Sequence, residues 1–276
     1  MNVTLWGTRG SLPAAGPETV RYGGNTSSVE VRGEDGTLLV LDAGSGIRRL
    51  GERIGPNDGR IDVLLTHLHL DHLQGIGFFL PLFAGTGEVH VWGPPSISAS
   101  LRTRLGRYLS PPLFPVRVRD LGRRVVLHDA PAEPVRIGSF TVWADLIVHP
   151  GSTVGYRITE GERSIAYLPD HEPALGRTTV PDSGRWTSGY GLARDVDLLI
   201  HDAQYTTDEI RTRLGWGHSS IEQTVGFAEL AGAGRLVPFH HDPSHDDGQL
   251  DTMLAEMRAI TSMPVEAGCE GASFRV

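Results

Sequence analysis

Apolar positions along the chain fall into short runs broken by Gly- and Pro-rich stretches, a pattern of many brief strands interleaved with a few helices. Residues 2–6 read as a first strand and 7–24 as a loop. Residues 27–32 and 37–41 flank Gly33-Glu34-Asp35-Gly36, a hairpin signal. A helix is expected over 47–54. An apolar strand at 63–65 then runs into His67, His69, Asp71 and His72, with a helix expected over 73–83. Further on, strands are expected at 89–92, 125–127, 135–137 and 141–148, with a helix over 96–109 between the first two. Residues 154–159 and 164–168 form a second hairpin, and 171–194 read as loop. Strands at 196–200 and 236–239, helices at 207–214 and 220–231, and a last helix over 247–260 complete the chain.

The strand ends carry the chemistry. His67, His149, Asp170 and His240 each follow an apolar run, and active sites are built from side chains presented on loops over a rigid sheet. The stretch 67–72 alone places four metal-type side chains in six positions between a strand and a helix. A metal satisfies nitrogen lone pairs and a carboxylate that are otherwise costly to crowd and desolvate.

Composition narrows the choice. At 276 residues and 39% hydrophobic, the chain suits one large domain spanning 1–276 with a substantial core. The single Cys269 excludes an intramolecular disulfide and a cysteine-based metal site, so any metal is held by His, Asp or Glu. The net charge of −8 argues against extended contact with nucleic-acid backbones. No apolar run is long enough to cross a bilayer, and the N-terminus lacks a signal-peptide pattern, so a cytoplasmic protein is expected. The oligomeric state is not legible.

Thr66-His67-Leu68-His69-Leu70-Asp71-His72 resembles the signature of the metallo-β-lactamase superfamily, and His149, Asp170 and the 240–241 pair follow in the order of its later metal motifs. The resemblance covers nearly the whole chain. It implies an α+β fold, the αβ/βα sandwich, with two mixed β-sheets face to face and helices outside. Within the superfamily the chain is most similar to the phosphodiesterase branch that contains ribonuclease Z and the phosphoribosyl cyclic phosphodiesterases. Asp197-Leu198-Leu199-Ile200-His201-Asp202-Ala203 resembles that branch's strand ending in His-Glu-Ala, Gly217-His218-Ser219-Ser220 its Gly-His-Ser-Thr, and the 7–13 stretch its first loop.

By that resemblance His67, His69 and His149 hold one divalent metal, Asp71, His72 and His240 the other, and Asp170 bridges. His241 is the alternative to His240. Zinc is expected, and Mn or Fe suits the same ligand types. Two such ions share a hydroxide; lowering a water pKa from about 16 to about 7 is worth roughly 12 kcal/mol. Catalytic roles fall to Asp71, His218 and Asp202, with His218 protonating the leaving alkoxide and Asp202 orienting it. The alternative for His218 is a turn residue beside a helix cap. Arg9 is either a phosphate contact or part of a tight turn, and Asp42 is expected to support the ligand histidines.

The expected activity is hydrolysis of a small or cyclic phosphodiester. Carboxyl ester, lactone, thioester or β-lactam hydrolysis is the alternative, and RNA cleavage a further one. Ribonuclease Z carries a tRNA-clamping arm between its third and fourth metal motifs. Here His149 and Asp170 are 21 positions apart, a span the second hairpin fills, which speaks against tRNA as partner.

Overall fold

The computed structural model describes residues 1–55, 59–83, 87–121 and 125–276. Strands β1 (Asn2–Gly7), β2 (Ser28–Arg32) and β3 (Leu38–Leu41) pair antiparallel. Helix α1 (Ile47–Arg53) crosses to β4 (Ile61–Leu64), which lies parallel to β3. The short α2 (Leu70–Leu73) leads on to β5 (Val89–Gly93), α3 (Leu101–Tyr108) and β6 (Val125–Asp129), the strands again parallel. Continuous crossovers of this kind bury strands on both faces, and all four residues of β3, Leu38-Leu39-Val40-Leu41, are buried.

The second half repeats this plan. Strands β7 (Val135–Ile137), β8 (Phe140–Leu146), β9 (Val154–Glu160) and β10 (Arg163–Leu168) form an antiparallel meander. After α4 (Tyr190–Ala193), strand β11 (Leu198–Asp202) joins β10 in parallel; α5 (Ile221–Ala231) then leads to β12 (Leu236–Phe239), parallel to β11. Helix α6 (Asp247–Ile260) precedes a final strand, β13 (Ser273–Arg275), which returns to pair with β1. Among the described residues the sheets order as β13-β1-β2-β3-β4-β5-β6 and β12-β11-β10-β9-β8-β7.

Both sheets are mixed and pack face to face. Between them lie Leu5, Val31 and Leu41 from the first and Phe140, Tyr156, Ile165 and Ile200 from the second. Ile47 and Leu50 of α1 cover the outer face of the first sheet, and Val225, Ala228, Met253 and Met257 cover that of the second. This is the metallo-β-lactamase sandwich that the motifs imply.

Several boundaries differ from expectation. The helix over 73–83 is broken into α2 and two single 3-10 turns, Ile76–Phe78 and Leu80–Leu82. Gly75 donates its N–H to Ala43 at 2.9 Å instead of staying in the helix, and a Cβ there would sit 2.0 Å from the Gly44 carbonyl. Helix α3 starts only at Leu101, where the Ser100 side chain caps it by accepting from Thr103 N–H. The 207–214 helix is a 3-10 turn, Glu209–Thr212, because the Glu209 carboxylate accepts the Thr206 N–H and hydroxyl. Strand β8 stops at Leu146, three residues short of His149, and α4 lies within the expected loop. The 220–231 helix begins with a full capping box between Ser220 and Gln223.

Candidate metal centre

The parallel strands β4, β10, β11 and β12 all release the chain at the same edge of the sandwich, where ligand sites form in such sheets. Strand β4 runs out through Leu65 into Thr66, whose N–H bonds Asp42 at 2.7 Å. His67 follows, and His69 stands at the N-cap of α2 with Asp71 and His72 in its single turn. Asp170 lies two residues beyond β10, and His240 directly follows β12.

These seven side chains form two adjoining groups. His67, His69 and His149 bring one ring nitrogen each within 4.8 Å of one another; Asp71 and Asp170 with a carboxylate oxygen each, and His72 and His240 with a ring nitrogen each, form a second group within the same distance. His149 Nε2 is 3.2 Å from His69 Nδ1, and His72 Nε2 is 3.2 Å from His240 Nε2. Asp170 stands between them. Its Oδ1 is 3.9 Å from His67 Nε2 and 3.7 Å from His149 Nε2, and its Oδ2 is 2.9 Å from His72 Nε2. His241 turns away, its Nε2 2.8 Å from the Gly268 carbonyl and its ring edge-on to Tyr22.

The far side of each ring is held in place. His72 Nδ1–H donates to Asp42 at 2.7 Å, His149 Nδ1–H to the Gly217 carbonyl at 2.9 Å and His240 Nδ1–H to Gln204 Oε1 at 3.0 Å. Outer N–H groups engaged in this way aim the Nε2 lone pairs inward, the arrangement seen around bound metals. Asp42 also accepts from the Thr66 and Tyr167 hydroxyls, a supporting role of the kind expected from the sequence. Both Asp42 and His240 adopt left-handed backbone, at φ 59° and 62°. Such conformations cost about 1–3 kcal/mol each for a non-glycine residue and cluster where side chains must be aimed.

Electrostatics ask for positive charge here. Burial would raise the Asp170 carboxyl, but His240, His72 and His67 outweigh it and hold it well below the usual carboxylate range. Burial likewise fails to raise Asp71, which His72 and His240 hold down, and Ser11 N–H donates to it at 2.7 Å. Burial pushes His67 well below its ordinary range and His149 down to about 4, so both rings are neutral. His72 goes the other way: Asp170, Asp71 and Asp42 outweigh its burial and raise it. His67 Nε2 is buried with no hydrogen-bond partner among the described residues. Inward-facing imidazoles, two carboxylates and an orphaned ring nitrogen fit divalent cations held by nitrogen and oxygen, as Zn, Mn or Fe would be.

Beside the cluster, His218 is buried with Nδ1 2.7 Å from Asp202 Oδ2 and 4.0 Å from Asp170 Oδ1. Burial would lower its pKa, but Asp202 raises it, so the ring tends to hold its second proton. Asp202 is itself fixed by the N–H groups of His171, Gln204 and Ser219.

Two supports were not legible in the sequence. Glu172 is fully buried and accepts the N–H groups of Gly176, Gly215 and Gly217 at 2.6, 3.1 and 3.0 Å. It thereby fixes the loop that carries His218 and whose Gly217 carbonyl orients His149. Gln204 aims His240. A glutamate two positions after Asp170 is the sole hint, and the spacing does not say what it holds. Arg9 is not a phosphate contact: fully buried, it donates to the carbonyls of Gly23, Asp242 and His245 and ties the first loop to the one after β12. His245 is buried against Glu209, whereas Trp216 is exposed.

A sequence family described as "Beta-lactamase superfamily domain" matches residues 37–241. A curated "Ribonuclease Z" from Myxococcus xanthus is 27% identical over 90% of this chain and 91% of its own. The metallo-beta-lactamase fold protein YhfI from Bacillus subtilis superposes with a TM-score of 0.72 at 21% identity, covering 99% of this chain and 98% of its own. A diphosphatase from the PhnP family superposes with a TM-score of 0.70 at 18% identity, covering 100% and 97%.

Proposed function

The chain belongs to the β-lactamase superfamily and has its hydrolase fold, and from that premise we propose a two-metal phosphodiesterase acting on a small or cyclic phosphodiester. In this reading His67, His69 and His149 would hold one divalent ion and Asp71, His72 and His240 the second, with Asp170 lying between the two groups and available to either. When bound, two such ions polarise a phosphoryl oxygen and supply a water acidic enough to attack phosphorus at neutral pH.

The observation that carries the phosphodiester reading is the His218–Asp202 pair beside the cluster. An alkoxide leaving group needs a proton, whereas the thiolate of a thioester departs without one. His218 Nδ1–H is committed to Asp202, which leaves the Nε2 proton to be donated. Asp202 holds the ring in that tautomer and offsets its positive charge. Glu172 keeps the loop of His218 in register by binding its amides, and Asp42 keeps His72 aimed.

RNA cleavage is the second reading, favoured by the relative named for it. Against it stand the net charge of −8 and the β9–β10 hairpin, which takes up the segment between His149 and Asp170. A panel on zinc-reconstituted protein separates the readings: bis-(p-nitrophenyl) phosphate, cyclic nucleotides, a lactone, nitrocefin and tRNA precursor. We expect turnover on the small phosphodiesters. Lactone turnover with no phosphodiester hydrolysis would overturn the proposal, and preferential cleavage of the precursor at low salt would replace it with the nuclease reading.

A further inference from the structure

A groove of about 470 Å³ opens directly from His67 and His69 and runs along helix α3. Its volume lies in the range of small-ligand sites, roughly 300–1,000 Å³. One wall is apolar, with Leu70 and Leu113 about 60% and 70% exposed to the groove side and to solvent. The lining also carries Arg104 and Arg107, three positions apart on one face of α3.

No carboxylate is among the described residues lining this groove, although the protein carries a net charge of −8. The hydroxyls of Tyr108 and Ser152, which also line it, donate to the carbonyls of Gln74 and Pro95. Arg104 Nη2 donates to the Pro94 carbonyl at 2.6 Å and lies 3.9 Å from Asp129, while its Nε–H is buried without a partner. Arg107 is exposed, and no hydrogen bond or ion pair engages its guanidinium among the described residues. Of the two guanidinium groups, Arg107 therefore offers free donors among the described residues and Arg104 adds charge beside it, next to the candidate metal centre.

We infer that this groove is a subsite for a second anionic group, and that the substrate is a phosphodiester carrying a further phosphate next to an apolar or aromatic moiety. The inference rests on the phosphodiesterase reading of the adjoining centre. Arg107 supplies the principal contact, Arg104 a supporting charge, and Leu70 with Leu113 cover the apolar part. A guanidinium matches a phosphate with two parallel hydrogen bonds, and its separation from water within a groove strengthens the contact.

The test compares two pairs of probes on zinc-reconstituted full-length protein. Affinities are measured by calorimetry for thymidine 3′,5′-bisphosphate and thymidine 5′-monophosphate. Turnover is measured for thymidine 5′-(p-nitrophenyl phosphate) with and without a 3′-phosphate. The wild type should favour the extra phosphate in both pairs by about tenfold, the scale of one charge-assisted contact. Arg107→Ala should remove most of that preference, Arg107→Lys should keep part of it, and raised ionic strength should shrink it. Equal affinity for the two nucleotides in the wild type, or a preference that survives in Arg107→Ala, overturns the inference. If the bisphosphate preference depends on Arg107 but neither ester is hydrolysed, the subsite stands and the phosphodiesterase reading fails. If both esters are hydrolysed without preference, the reading stands and the subsite does not.

Discussion

Replacing His218 by Ala tests the division of labour in the centre. The side chain lies 4.0 Å from Asp170 and near His149, close enough to form a metal-type group with them, but its Nδ1 is committed to Asp202 at 2.7 Å. Metal content should therefore stay at two ions per chain. The truncation leaves Asp202 fully buried with three backbone N–H partners but without its charged one, which costs about 1–3 kcal/mol of stability. Activity should respond according to the leaving group. General acid catalysis contributes typically 10²–10⁴-fold, and its benefit grows with the basicity of the departing oxygen. With an alkyl phosphodiester the loss in kcat should be on the order of 10²–10³. With a p-nitrophenyl ester, whose leaving group departs readily as the anion, the loss should be at least tenfold smaller. The assay is a series of aryl and alkyl phosphodiesters measured at one pH with metal content determined in parallel. Equal losses across the series would refute the acid role and leave His218 a structural residue.

Three further outcomes follow from the geometry. Glu172→Gln faces an amide NH₂ toward the N–H groups of Gly215 and Gly217, so hydrogen exchange at those amides should speed up, and kcat should fall by roughly tenfold; unchanged protection would show that the loop is held otherwise. His240→Ala should bind about one zinc per chain and His241→Ala two, the latter losing only stability; elemental analysis of both decides, and the reverse result would exchange the two histidines. His201 is fully buried and pushed down to about 4 by burial, against an unfolded value near 6.5. Between these values the unfolded chain binds the extra proton, so stability is complete above about pH 6.5 and falls as pH drops toward 4. The His201 share is about 2 kcal/mol between pH 7 and 5, measurable by urea unfolding of metal-free protein, and His201→Leu should reduce the pH slope by that share, the rest coming from other buried histidines such as His67 and His149.

The architecture was legible because its signals are local. Alternating and continuous apolar runs mark strands whichever sheet they join, and the capping box at Ser220 and the last helix over 247–260 carry their own boundaries. What failed depended on distant partners. Nothing local breaks the 73–83 helix; Gly75 leaves it because Ala43 and Gly44 lie against it. Strand β13 is invisible alone and exists because β1 offers an open edge. The metal-type residues were readable because their spacing within 67–72 is dense and because strand ends recur. The choice between His240 and His241 was open in the sequence, since adjacent histidines differ only in which way the backbone turns them; the left-handed conformation of His240 makes that difference. Glu172 was missed because a carboxylate that binds only backbone amides leaves no partner side chain to notice.

In the proposed centre seven side chains hold two ions, and the loaded enzyme hydrolyses phosphodiesters. The direct measurement is a titration of metal-free protein with zinc while bis-(p-nitrophenyl) phosphate hydrolysis is followed. Turnover should rise and reach its plateau at two equivalents, in step with zinc bound by His67, His69, Asp71, His72, His149, Asp170 and His240. A plateau at one equivalent, or two equivalents bound without phosphodiester turnover, would contradict it.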